Sequence, residues 1–87
     1  MVDKIVTGRD LKLMRLKAGK TPEQVAGHLN LKSPKTCVNW EFDRSGPDVN
    51  QWLKILVFYG VNPYKFVKAA LNRNATSVDI NLDELGS

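Results

Sequence analysis

Each of the four prolines in this chain stands beside a residue that can cap a helix, in the runs Thr21-Pro22, Ser33-Pro34, Pro47-Asp48 and Asn62-Pro63. A hydroxyl, carboxylate or amide oxygen at such a position accepts one of the orphaned N–H groups of a first helical turn. Proline at the first helical position loses nothing by lacking an N–H, and its φ is already set for the helix. These pairs therefore predict helix starts at Thr21, Ser33, Asp48 and Asn62, and Thr7 with Asp10 three residues on has the form of a capping box at a fifth. Gly19, Asn30 and Gly60 supply stops, being residues that tolerate a left-handed backbone. The expected fold is all-α, with five short helices.

The apolar spacing agrees. Leu11, Met14 and Leu16 with Ala18 predict the buried stripe of the first helix, and Arg9, Lys12, Arg15 and Lys17 its charged face. Val25, Ala26 and Leu29 serve the second, and Cys37 and Trp40 the third, with Phe42 or the stem of Glu41 as further cover. The fourth carries Val49, Trp52, Leu53, Ile55, Leu56, Val57, Phe58 and Tyr59, and the fifth Tyr64, Phe66, Val67, Ala70 and Leu71. A helix wet on one side needs only about three or four apolar residues per two turns, so part of the fourth helix is expected to bury against something besides the chain's own core. After the fifth helix, Val78, Ile80 and Leu82 alternate with Asp79, Asn81 and Asp83, the period of a short half-buried C-terminal β-strand. A lone strand must pair between chains, dock on the body or stay loose.

Charge and cysteine use narrow the function. The formal net charge is +4, but residues 1–74 hold all thirteen basic and only six acidic residues, a balance of +7, while residues 75–87 hold only Asp79, Asp83 and Glu84. A basic body with an acidic tail favours an anionic partner, whether nucleic acid, membrane surface or acidic protein. One cysteine, Cys37, and one histidine, His28, exclude a disulfide framework and the usual zinc clusters. No catalytic set, phosphate loop or metal spacing is present, so neither an enzyme nor a cofactor is expected. Without an apolar run near the roughly 20 residues of a membrane span, a cytoplasmic protein is expected. His28 reads as a surface residue, Cys37 as a buried inert thiol, and Trp40 and Trp52 as packing.

Two capped helices a few residues apart, the second short and polar at its start, are the sequence form of a helix-turn-helix. The runs Thr21-Pro-Glu-Gln-Val-Ala-Gly-His-Leu-Asn-Leu31 and Thr36-Cys-Val-Asn-Trp-Glu41, then Pro47-Asp48, Leu53 and Gly60-Val61, resemble the Xre-like repressors of phages and bacteria, the Cro and CI type. The likeness covers about residues 10–72 and includes the Trp40-Glu41 pair and Ala26, where the helices of this family cross closely. With the charge distribution it divides the chain into a helix-turn-helix domain over 1–74 and an acidic tail over 75–87, either a dimerisation strand or disordered. Two departures stand out: Pro22 occupies the place where the family usually has a glutamine, and the turn Asn30-Leu-Lys-Ser-Pro34 looks one residue longer than the common pattern.

A recognition helix presents side chains to base edges while its rear holds the domain. On that logic Lys35, Thr36, Val38 and Asn39 are expected to face DNA, Lys35 toward guanine, Asn39 toward adenine, and Thr36 or Val38 toward a thymine methyl. Phosphate contacts are expected from Thr21 and Ser33 at the helix starts, with Lys32 and Arg44 at either end of the recognition helix. The resemblance implies a homodimer on operator DNA. Its interface is expected at Val57, Phe58 and Tyr64, with Phe66, and at the tail residues Val78, Ile80 and Leu82. The alternative is a protein-binding module of the same fold, antirepressor or antitoxin-like, using the apolar surface of helices four and five.

Overall fold

The computed structural model describes residues 6–73, which form α1 (Gly8–Lys17), α2 (Pro22–Leu29), α3 (Pro34–Glu41), α4 (Val49–Phe58) and α5 (Pro63–Arg73). The fold is all-α, as expected. The tail, 75–87, and its anticipated strand with Val78, Ile80 and Leu82 lie outside the described residues.

The caps explain the boundaries. Thr7 and Asp10 form the reciprocal box, the Thr7 N–H donating to the Asp10 carboxylate at 2.8 Å while the Asp10 N–H donates to Thr7 Oγ1. Thr21 with Gln24 and Asp48 with Gln51 repeat the arrangement. Ser33 Oγ accepts from the Lys35 N–H at 3.0 Å, and Asn62 Oδ1 from the Lys65 N–H at 3.2 Å. α2 ends on Asn30 in the left-handed region, φ 56° and ψ 39°. The turn to α3 is thus the four residues Asn30 to Ser33, within the length that joins the helices of such a motif.

α3 packs against α2 and α1, α4 against α2, and α5 against α4. Their meeting faces make one core of Leu11, Met14, Val25, Cys37, Trp40, Ile55, Leu56, Tyr59, Phe66 and Ala70. Met14, Val25 and Ile55 are its most fully buried large side chains.

The face of α1 differs from expectation. Leu16 is exposed, whereas Arg15 is drawn inward. The helical period accounts for both: Arg15 lies four residues from Leu11 and shares its face, while Leu16, five residues away, points off it. Arg15 reaches the end of α3, giving Glu41 a two-pronged contact, Nε to Oε2 at 2.7 Å and a terminal nitrogen to Oε1 at 3.1 Å. Its other terminal nitrogen donates to the Lys20 carbonyl at 3.0 Å. The Glu41 stem, not Phe42, is therefore the extra cover on α3. Phe42 is 62% exposed.

The other end of α1 touches α3 just as closely. The Gly8 N–H donates to Asp43 Oδ1 at 2.9 Å, and a Cβ on Gly8 would run into the backbone carbonyls of Trp40 and Glu41. Glycine is needed here for close approach rather than for backbone freedom.

Candidate nucleic-acid interface

α3 is held from behind and open in front. Cys37 and Trp40 are in the core, while Lys35, Val38, Asn39 and Phe42 recur at the spacing of one helical face on the other side. Lys35 is exposed, Val38 and Asn39 are half-buried along the same face, and Thr36 is half-buried at its flank. The four expected base-facing residues are thus all at least partly open, with Lys35, Val38 and Asn39 on one stripe.

Phe42 extends that stripe by a turn, and the sequence reading missed it. Its position, four residues after Val38 and seven after Lys35, was the available signal. Arg44 lies over the Phe42 ring, 5.0 Å from its centroid, and donates from a terminal nitrogen to Asn39 Oδ1 at 3.3 Å.

The turn after α3 sets Arg44 in this place. Asp43 is left-handed at φ 59°, its N–H donates to the Trp40 carbonyl at 3.2 Å, and the Arg44 N–H donates to the Asn39 carbonyl at 3.0 Å. These two bonds are those of a Schellman motif, which folds the chain back over the last helical turn. Asp43 is itself tied to the Gly8 N–H, so α1 steadies the turn.

Charge follows the same division. Glu41 faces Arg15 and Asp43 faces the start of α1. Lys32, Lys35 and Arg44, on α3 and its flanks, are all exposed, as is Asp43 beside Arg44. Thr21 Oγ1 accepts from the Gln24 N–H at 3.2 Å and Ser33 Oγ from that of Lys35, so each hydroxyl keeps its own hydrogen to give. The Thr21 N–H is already taken by Gln24, at 2.8 Å.

Burial, with the neighbouring Glu41 carboxylate adding to it, pushes the Cys37 thiol from 9.0 up to about 12, so it stays protonated at neutral pH. Burial raises the Tyr59 hydroxyl as well. Both groups hold their protons more tightly folded than unfolded. Their contribution is complete below about pH 9, and stability falls as pH rises above that, each group adding a slope of up to about 1.4 kcal/mol per pH unit. Urea midpoints should be level from about pH 7 to 8.5 and drop toward pH 11, less steeply in Cys37→Ala. An equally steep drop in that variant would remove Cys37 as a cause.

The anticipated dimer residues separate. Val57 and Tyr64 are exposed, at 70% and 74%. Phe58 is half-buried, its ring stacked on that of His28 at 4.2 Å with Lys20 over it at 4.8 Å. Phe66 is a correction: it is 3% exposed, packed in the core and stacked with Trp52, so it has no surface to offer a second chain. Leu53, Val67 and Leu71 are exposed apolar residues of the same two helices. Among the described residues no helix is long and apolar enough to cross a membrane.

Comparison with known families finds a helix-turn-helix family model matching residues 11–66, a span from the first core residue of α1 to Phe66 of α5. No curated protein and no solved structure matches the chain. With α2 and α3 packed together across a four-residue turn, the chain belongs to the Xre/Cro-CI-like helix-turn-helix family of DNA-binding transcription regulators.

Proposed function

We propose that this regulator is a repressor of phage or mobile-element type that binds an inverted-repeat operator as a homodimer, with α3 in the major groove. The outward stripe of α3, backed by the buried Cys37 and Trp40, carries the reading. Lys35, Thr36, Val38 and Asn39 contact base edges, and Thr21, Lys32, Ser33 and Arg44 contact phosphates on either side. Replacing Asn39 with alanine is expected to cost about 1–3 kcal/mol on the preferred site and to relax one base position. Lys32→Ala should weaken all sequences alike and reduce the salt slope by about one unit. An unchanged preferred sequence for Asn39→Ala would mean that α3 faces the groove differently.

One such domain offers about three or four base-reading side chains, too few for tight operator selectivity, so two copies on half-sites about one helical turn apart are needed. The exposed Val57 and Tyr64, with Leu53, Val67 and Leu71 beside them, support pairing through α4 and α5. Val57→Asp should shift sedimentation toward monomer and weaken operator binding. A variant that stays dimeric would move the interface elsewhere. Removing residues 75–87 tests the tail in the same way, since an unchanged oligomeric state leaves Val78, Ile80 and Leu82 no part in pairing.

A further inference from the structure

Phe42 puts an exposed aromatic ring on the outward side of α3, where it has no hydrogen bond to offer DNA. The group it meets is the Arg44 guanidinium, which lies over the ring at 5.0 Å from its centroid. Three features converge on that guanidinium. The left-handed Asp43 turns the chain back, with the Arg44 N–H on the Asn39 carbonyl at 3.0 Å, so the Arg44 side chain starts beside the last turn of α3. The Phe42 ring then supports its charged end, and the Asn39 side-chain oxygen accepts one of its N–H groups at 3.3 Å. Phe42 and Asn39 both belong to the outward stripe, so the guanidinium is held on the side of α3 that is proposed to meet DNA.

An exposed arginine ordinarily samples many rotamers, and fixing one of them against a phosphate costs affinity. Here part of that freedom is already restricted before DNA arrives. The restraint leaves the donors available: the attraction to a ring is electrostatic and takes up no acceptor, Asn39 takes one N–H, and a guanidinium has five in all. Asn39 keeps its NH₂ and a second lone pair for a base. We infer that Phe42 is a positioning residue for DNA binding, its ring holding the Arg44 guanidinium ready for a phosphate at the end of the recognition helix. The role needs an aromatic side chain, since an aliphatic one has no quadrupole to attract the cation. This rests on the proposed operator binding and gives the exposed ring a part in it.

The experiment measures, by fluorescence anisotropy with the full chain, affinity for the duplex that the unsubstituted protein selects and for an unrelated duplex. Its variants are Phe42→Ala, Phe42→Leu, Phe42→Tyr, Arg44→Ala and the double replacement of Phe42 and Arg44 by alanine. Both positions are exposed, and circular dichroism checks that each variant remains helical. Phe42→Ala should weaken both duplexes alike, by about two- to fivefold, the range of an exposed cation–π contact. Phe42→Leu should lose as much, and Phe42→Tyr should bind like the unsubstituted chain. Adding Phe42→Ala to Arg44→Ala should cost nothing further, because the ring acts only through the guanidinium. Unchanged affinity in Phe42→Ala, full binding in Phe42→Leu, or losses that add in the double variant would each overturn the inference while leaving operator binding intact. So would a loss confined to the selected duplex, which would make Phe42 a direct contact to a thymine methyl. An unsubstituted chain that selects no sequence would overturn the operator reading itself, and the inference with it.

Discussion

Replacing Glu41 with alanine is expected to destabilise the domain by about 3–5 kcal/mol, the cost of breaking a buried ion pair from one side. Glu41 and Arg15 are 6% and 11% exposed in their side chains, and the two-pronged contact leaves Arg15 only the Lys20 carbonyl when the carboxylate is removed. An almost buried guanidinium would then have no counter-charge. The Cys37 thiol, 3.6 Å from Glu41 Oε2, would lose its acceptor too. Because small domains are stable by only about 5–15 kcal/mol, a large fraction of the variant should be unfolded in mild urea. Replacing both partners by apolar residues, Arg15→Met with Glu41→Leu, should recover much of the loss, since no charge is left stranded. Urea denaturation at neutral pH separates these cases. A loss below about 1 kcal/mol for Glu41→Ala would place the pair among exposed salt bridges and contradict the packing described for α1 and α3.

Gly8→Ala should be the next most damaging change, lowering stability by about 2–3 kcal/mol through overpacking. The new methyl group would meet the backbone carbonyls of Trp40 and Glu41, and backbone yields less readily than the end of a side chain. The shift would also strain the Gly8–Asp43 bond, and with it the turn that carries Arg44. Gly27 in α2 gives the matched control: among the described residues nothing outside its own helix backbone and chain neighbours lies within 4 Å of a Cβ there, so Gly27→Ala should raise stability by about 0.5–1 kcal/mol. Thermal midpoints should therefore move in opposite directions for the same chemical substitution. A rise in both would show that α1 and α3 do not approach as closely as described.

The elements were legible because their signals are local. A cap, a proline and a stop lie within a few residues of each helix end, and Thr7, Thr21, Ser33, Asp48 and Asn62 all serve as expected. The faces were harder to read, because a charge is not proof of solvent. The charge pattern puts Arg15 on the wet side of α1 although it lies four residues from Leu11, and its partner Glu41 is distant in sequence, where no short-range pattern could show it. Of the two residues the sequence offers as further cover on α3, Phe42 and the Glu41 stem, Phe42 stands at the helix end where the core has already turned away. Phe66, expected at the dimer interface, instead fills the space beside Trp52.

The contact between Asn39 and Arg44 was the least visible from sequence. It depends on a left-handed backbone at Asp43, and an aspartate there signals that conformation far less strongly than a glycine would. Asp43 fits because its carboxylate gains the Gly8 N–H, a bond that no glycine could supply. A tertiary contact thus selected the residue and concealed the turn. The candidate base-reading residues, by contrast, needed only the helical period and the burial of Trp40.

Sequence-specific binding by a dimer is tested most directly by selecting random duplex DNA with the unsubstituted protein at about 150 mM salt, where nonspecific phosphate binding is already weak. An enriched inverted repeat with half-sites about one helical turn apart is the predicted result. No enrichment, with DNA binding that vanishes at moderate salt and a stable complex with a different protein, would contradict it and place the function on the apolar surface of α4 and α5.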